Sequence, residues 1–117
     1  MTSSGAAPGA AASSTDGDLD HLLERALKAD LLCHDILAAE LFRRAEALAC
    51  QSHDDTSLVP AFLRDRRMSS LRNQASASGV KVVQKIALYA EAWKLQLINV
   101  SVIERRAAAG TLVRLSS

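Results

Sequence analysis

The stretch from residue 80 to residue 109 reads VKVVQKIALYAEAWKLQLINVSVIERRAAA and contains neither proline nor glycine. Gly79 precedes it and Gly110 follows it, so the sequence predicts one long helix with Gly110 as its C-cap. Six of its residues recur at heptad spacing, and we call them the heptad face: Val83, Ile86, Ala90, Trp93, Leu97 and Val100. We expect this face to be buried, with Trp93 at its centre.

The long helix carries a second apolar line, which lies away from the heptad face. It consists of Leu88, Leu95 and Val102, with Ile98 between them. A helix that is apolar over most of its circumference must be covered on more than one side. The rest of the chain is therefore expected to be organised around this helix.

Length and composition favour helices. A chain of 117 residues makes one domain with a modest core, and only four of its residues are aromatic while alanine and leucine abound. Helices that pack through small side chains are expected from this composition. The predicted fold is all-α, an antiparallel helical bundle of about four helices with a disordered N-terminal tail.

The predicted boundaries follow the changes in composition. Residues 1–17 are rich in alanine, serine and glycine and should be a disordered tail, residues 18–110 the helical bundle, and residues 111–117 a loose C-terminal tail. Asp16 and Asp18 are the expected N-caps of a first helix that starts near Leu19. The tail lacks an apolar signal core, and the most apolar window is interrupted by charges, so we expect a cytoplasmic chain with no membrane span.

No glycine or proline interrupts residues 19–50, so this segment is either one helix or a hairpin of two. We favour a hairpin that breaks near His34 and Asp35, because small residues on both sides would let two helices pack closely. The expected buried positions are Leu19, Leu22, Leu23, Ala26, Cys33, Ala38, Leu41, Phe42, Ala45, Leu48 and Ala49. The loop after Cys50 and Pro60 in a first turn predict a third helix from about Leu58.

Within the hairpin, a small residue, an acid, alanine, an aromatic residue and alanine recur at Ala26, Asp30, Ala38, Leu41-Phe42 and Ala45. This run resembles the opening hairpin of a microtubule-interacting and trafficking (MIT) domain. The tetratricopeptide repeat resembles it too, with Leu22, Ala26, Ala38, Phe42 and Ala45 in its large and small positions. The MIT resemblance is preferred because one such unit is visible, whereas repeat arrays need about three.

Charge is divided unevenly along the chain. Residues 1–55 carry ten acids and four Lys or Arg residues, whereas residues 56–117 carry three acids and ten Lys or Arg residues. Complementary halves favour attraction within the fold or across a dimer. The alternative is a basic patch for an acidic partner. Nucleic acid is not the expected partner, because the chain is near neutral and no aromatic residue interleaves with its arginines.

Catalytic and metal-binding patterns are missing from the sequence. Cys33 and Cys50 would lie about 20 Å apart in a hairpin, and Cys50 with His53 supplies only two zinc ligands. We therefore expect reduced thiols, with Cys33 buried, and no cofactor or metal. No phosphate-binding loop or nucleophile motif occurs, so the chain is not expected to be an enzyme. Arg66-Arg67-Met68-Ser69 resembles a basophilic kinase substrate, with Ser69 as the acceptor.

These observations predict a non-catalytic protein-interaction module or adaptor. The MIT resemblance implies that a helical or extended partner peptide, often an ESCRT-III tail in that family, binds in a groove beside the third helix. Apolar anchors with a cationic rim would suit such a peptide. The candidate partner-binding residues are Leu37, Arg43, Arg44, Leu48, Arg64, Arg67 and Leu71. The alternatives are a structural homodimer formed through the helix of residues 80–109 and a tetratricopeptide-like scaffold fragment.

Overall fold

The computed structural model describes residues 8–54 and 56–116, and the side chains of residues 17–54 and 56–110. Four helices run through the described residues: α1 Pro8–Leu31, α2 Asp35–Ser52, α3 Leu58–Ser76 and α4 Val82–Ser116. No strand occurs in the described ranges. The prediction of an all-α fold of about four helices is confirmed.

The helices pack in chain order. The main contacts join α1 to α2, α2 to α3 and α3 to α4. The molecule measures 54 × 51 × 22 Å, so its shortest dimension is about two helix diameters. The two end helices, α1 and α4, therefore have one main neighbour each.

Helix α1 begins at Pro8, eleven residues before the predicted start at Leu19. Proline suits the first position of a helix because its missing N–H would be unpaired there, and the alanines that follow have the highest helix propensity. The predicted N-caps Asp16 and Asp18 consequently lie inside α1. Residues 1–7 of the predicted tail lie outside the described residues.

The predicted break between two helices is confirmed at residues 32–34. The Cys33 amide donates to Asp30 O at 3.0 Å and the His34 amide donates to Ala29 O at 2.8 Å. These two bonds form a Schellman motif, in which the residue after the cap adopts a left-handed conformation. Cys33 occupies that position with φ of 60° and is exposed. The prediction that Cys33 is buried was wrong, because the turn directs its side chain away from the hairpin core.

Replacing Cys33 with glycine should raise the free energy of unfolding by about 1 kcal/mol, because glycine adopts a positive φ without a steric penalty from Cβ. Urea unfolding of the variant measures the gain. Cys33→Ala is the matched control, since it removes the thiol and keeps Cβ. An equal gain in both variants would assign the effect to the thiol and contradict the backbone explanation.

The α1–α2 hairpin packs through alanine, as predicted. Phe42 and four alanines of the hairpin have no solvent-exposed surface at all. The core cluster consists of Ala26, Ala29, Ala38, Leu41, Phe42, Ala45, Ala49 and Leu63, with Leu19, Leu22 and Leu23 packed against it. Small side chains on both helices leave room for the Phe42 ring between them.

Enlarging a small residue in this hairpin should destabilise it. Ala45→Leu is expected to lower the free energy of unfolding by about 1–3 kcal/mol, because a fully buried position has no space for three more carbon atoms. The matched control is Ala47→Leu, an exposed position on the same helix. Thermal melts of both variants compare them, and equal melting temperatures would contradict the close packing.

Helix α3 starts at the predicted residue, Leu58. Ser57 is its N-cap, and the Ser57 hydroxyl accepts from the Val59 amide at 3.2 Å. Its buried apolar residues include Leu63, Met68, Leu71 and Ala75. Leu58 and Phe62, in its first two turns, are about half exposed.

Helix α4 buries only one of its two apolar lines, and on that line Ile98 is 43% exposed. The second core contains Ala92, Leu95, Ala39, Met68 and Leu71, with Leu88 packed against it, and Val102 is also buried. The heptad face is exposed, and Trp93 is 63% exposed, so the prediction that Trp93 is buried was wrong. The reason is topological: a helix with one main neighbour can bury one face. The helix also continues through Gly110, the predicted C-cap, to Ser116.

Candidate interaction surface

More than half of the exposed large apolar side chains among the described residues belong to α4, and most of these lie on its outer side. At 100° per residue, the heptad face lies about 180° from the line of Leu88, Leu95 and Val102 that packs on α3. Its members are therefore directed away from the rest of the molecule. Exposed apolar side chains flank it on α4, at Val82, Tyr89 and Ile103.

The size of this surface is that of one side of a protein interface. Eight large apolar side chains of α4 on or beside the heptad face are between 40% and 79% exposed. At about 100 Å² each they present roughly 800 Å², which matches one partner's share of a standard interface. Contiguous apolar patches above a few hundred Å² on a small protein mark interaction sites.

Charge is excluded from the heptad face and placed at its borders. Lys94 lies beside the face, and Glu104 occupies the next heptad position after Leu97. Glu91 lies on the other side of the helix, where its carboxylate accepts from Arg67 Nη2 at 2.7 Å. An apolar centre with charged edges is the pattern that recognises an amphipathic helix.

Two arginines that the sequence predicted as partner-binding residues are engaged inside the fold. Glu46 accepts from Arg64 Nε and from Arg67 Nη1, each at 2.8 Å, and all three side chains are less than 20% exposed. Asn99 joins the network, since its side-chain oxygen accepts from Arg64 Nη1 at 3.4 Å and its amide donates to Ala61 O at 2.9 Å. This network connects α2, α3 and α4.

The attraction predicted between the acidic and basic halves of the chain is confirmed within the fold. Besides the Glu46 pairs, Arg66 Nη2 is paired with the Asp30 carboxylate, which connects α3 to α1. Ser69, the predicted phosphorylation site, is half-buried next to these paired arginines in α3. A kinase would therefore need α3 to open locally before it could reach Ser69.

The other predicted partner residues are divided between surface and core. Arg43 and Arg44 are exposed on α2, and both guanidinium groups donate to Glu40. Leu37 is exposed and Leu48 is half-buried, whereas Leu71 belongs to the core shared with α4. Arg64, Arg67 and Leu71 are thus committed to packing between helices.

The Glu40 carboxylate should stabilise α2 only above acidic pH. Side-chain hydrogen bonds from Arg43 and then Arg44 lower the pKa of Glu40 from 4.5 to about 2. A lowered folded-state pKa contributes stability above pH 4.5, and that contribution is lost as the pH falls from 4.5 to 2. Glu40→Gln should flatten this part of the pH dependence of helicity, measured by circular dichroism in low salt. An unchanged pH profile would contradict the assignment.

An apolar groove lies where α2, α3 and α4 meet. Its volume is ≈ 750 Å³. Leu37 and Leu88 form its apolar walls, and Asp35, Glu40 and Gln74 supply polar groups. A short extended segment or one helical turn would fit this volume.

Neither cysteine takes part in a disulfide or a metal site among the described residues. Cys33 and Cys50 are both exposed free thiols, and the Cys50 sulfur lies 3.9 Å from Arg64 Nη2. Among the described residues no three His, Cys, Asp or Glu side chains come together as ligands for a metal ion. Within the same residues, no helix combines the length and the apolar character that crossing a membrane requires.

Comparisons of the chain with family models, with curated proteins and with solved structures found no match. Its function must therefore be inferred from the surfaces of the molecule. Sequence reasoning named every residue of the heptad face but assigned it to the core. Whether such a face is buried in the core or exposed depends on how many helices surround α4. Heptad spacing alone does not give that number.

Proposed function

We propose that this chain is a non-catalytic protein-interaction module, or adaptor, that binds an amphipathic helix on the heptad face of α4. The observation that carries the proposal is the exposure of an uncharged heptad repeat on the side of α4 opposite to α3. The heptad face is a rigid surface for a partner, because α4 is a long helix that packs on α3 along its opposite side.

The physical basis is the burial of apolar surface between two helices. Heptad spacing lets the side chains of a second helix insert between Ile86, Trp93 and Leu97 as knobs into holes. A large exposed aromatic side chain at the centre of an apolar patch is the residue type that dominates binding energy in interfaces. Lys94 and Glu104 at the border would set the register of the partner helix.

The test compares affinity purifications of the tagged chain from cells that express it. In Ile86→Lys/Leu97→Lys, two charges enter the heptad face at exposed positions. The expected result is loss of the proteins captured by the wild type, including any second copy of the chain, while the melting temperature stays equal to that of the wild type in dilute, monomeric protein. Undiminished capture of the same proteins by this variant would contradict the proposal.

A second binding mode is favoured by the groove between α2, α3 and α4. It is the mode that the MIT resemblance implies, in which a peptide such as an ESCRT-III-like tail binds beside α3. Leu37, a predicted partner residue, lies in this groove together with Ile36. Ile36→Lys/Leu37→Lys also adds two lysines, at exposed positions of α2 in the groove. It is the matched control for Ile86→Lys/Leu97→Lys. Loss of capture in this variant alone would assign partner binding to the groove.

A further inference from the structure

We infer that the helix that covers the heptad face is α4 of a second copy of this chain, in antiparallel orientation. The inference rests on the proposed function, because it identifies the partner of the same surface. Three observations support it: the order of side-chain sizes along the face, the position of the charges at its ends, and the access to it.

Side-chain size favours the antiparallel orientation. When two copies of α4 are related by a twofold axis between residues 91 and 92, Trp93 of one copy meets Ala90 of the other. The same register places Ile86 opposite Leu97 and Val83 opposite Val100, so every member of the face has an apolar partner. A parallel pair would instead stack Trp93 on Trp93 and Ala90 on Ala90, which overfills one layer and leaves a void in the next.

Charge favours the same orientation. Glu104 continues the heptad face, so a parallel pair would place two Glu104 carboxylates in one layer. In the antiparallel register, Glu104 lies beyond Val83 of the other copy, at the N-terminus of that copy's α4. A carboxylate is stabilised there by the helix dipole. Lys94 faces Ala87, and no like charges meet along the face.

The heptad face is accessible to a second α4, and it is large enough for a dimer interface. The heptad face lies opposite to the side that contacts α3, so the other three helices do not obstruct a second α4. Two faces of roughly 800 Å² each would bury about 1,600 Å², the standard size for a specific complex. This area falls in the size range of specific dimers without a contribution from other helices.

The orientation is tested with one spin label on each chain. Ser101 is exposed beside the heptad face, and Ser101→Cys is labelled in a background in which the exposed Cys33 and Cys50 are replaced by serine. In the antiparallel pair the two Ser101 positions are separated by about 28 Å along the helix axis, at 1.5 Å per residue. We expect an electron–electron distance near 30 Å, together with a dimer in sedimentation equilibrium. A distance below about 15 Å would show a parallel pair and overturn the orientation.

Size complementarity has its own test. Trp93→Ala and Ala90→Trp should each raise the dimer dissociation constant at least tenfold, because one creates a void and the other places two indoles in one layer. The double variant Ala90→Trp/Trp93→Ala restores the large-to-small pairing and should return the constant to within about threefold of the wild type. Additive losses in the double variant would contradict the register.

The outcomes separate this inference from the proposed function. A chain that stays monomeric at several hundred micromolar, yet captures other proteins through the heptad face, overturns the second copy as partner and leaves the proposed function standing. A dimer that persists in Ile86→Lys/Leu97→Lys overturns the inference, because its interface then lies on another surface.

Discussion

Phe42→Ala is expected to lower the free energy of unfolding by about 3–5 kcal/mol. The Phe42 side chain has no exposed surface and lies in the core between α1 and α2, surrounded by alanines that are too small to fill the void. Because those alanines are held on two packed helices, the cavity should collapse only in part. Urea unfolding followed by circular dichroism measures the loss.

Phe62→Ala is the matched control for this prediction. Phe62 is the other phenylalanine of the chain, lies on α3 and is 48% exposed. Its replacement should cost less than half as much as that of Phe42, because less apolar surface is lost and no enclosed cavity is left. Equal losses in the two variants would contradict the position of the hairpin core.

Glu46→Ala is expected to lower the free energy of unfolding by about 3 kcal/mol. The carboxylate of Glu46 is the shared acceptor of Arg64 and Arg67, and its removal leaves two largely buried guanidinium groups without their main partner. Breaking a buried pair by removing one member is costly because the remaining charge is not solvated. Arg67 keeps its ion pair with Glu91 in this variant, which limits the decrease in the free energy of unfolding.

Glu40→Ala is the control for Glu46, on the same helix and with the same number of arginine partners. Its pairs with Arg43 and Arg44 are exposed at the surface. Exposed pairs contribute less than buried ones because water and salt screen them, so this variant should lose much less stability at neutral pH than Glu46→Ala. If both glutamates gave the same loss, the network between α2, α3 and α4 would not be the cause.

The hairpin of residues 19–50 could be predicted because its determinants are local. Apolar residues follow the helical period on both sides of His34, and alanines at facing positions require a close neighbour. The backbone of Cys33 could not be predicted, since nothing in its side chain favours a positive φ. The turn imposes that conformation because Ala29 and Asp30 accept the amides of the Schellman motif.

The sequence could not show which apolar line of α4 is buried, for a different reason. Both apolar lines of α4 have helical spacing, and the line that contains Trp93 has the larger side chain. Which line is buried depends on how many helices surround α4, and in this fold only α3 is a main neighbour. A heptad pattern indicates that a face requires a partner, but the partner belongs either to the same chain or to another one.

The charge asymmetry predicted attraction between the halves of the chain but not the individual pairs. Arg64 and Arg67 meet Glu46 because α3 packs on α2 in one particular register. Register is a property of packed helices and cannot be read from composition. For this reason the sequence placed the same two arginines on a candidate partner surface, whereas in the structure they connect helices.

The central claim is that the single chain leaves the heptad face uncovered and that a second helix covers it. Trp93 is the only tryptophan of the chain and lies in that face, so its fluorescence reports the claim directly. We expect emission typical of exposed indole, quenched by iodide, in dilute protein. As the concentration rises, emission should shift to the blue and quenching should fall, in step with the dimer measured by sedimentation. Blue-shifted, iodide-resistant emission at the lowest concentration, where sedimentation shows a monomer, would contradict the account.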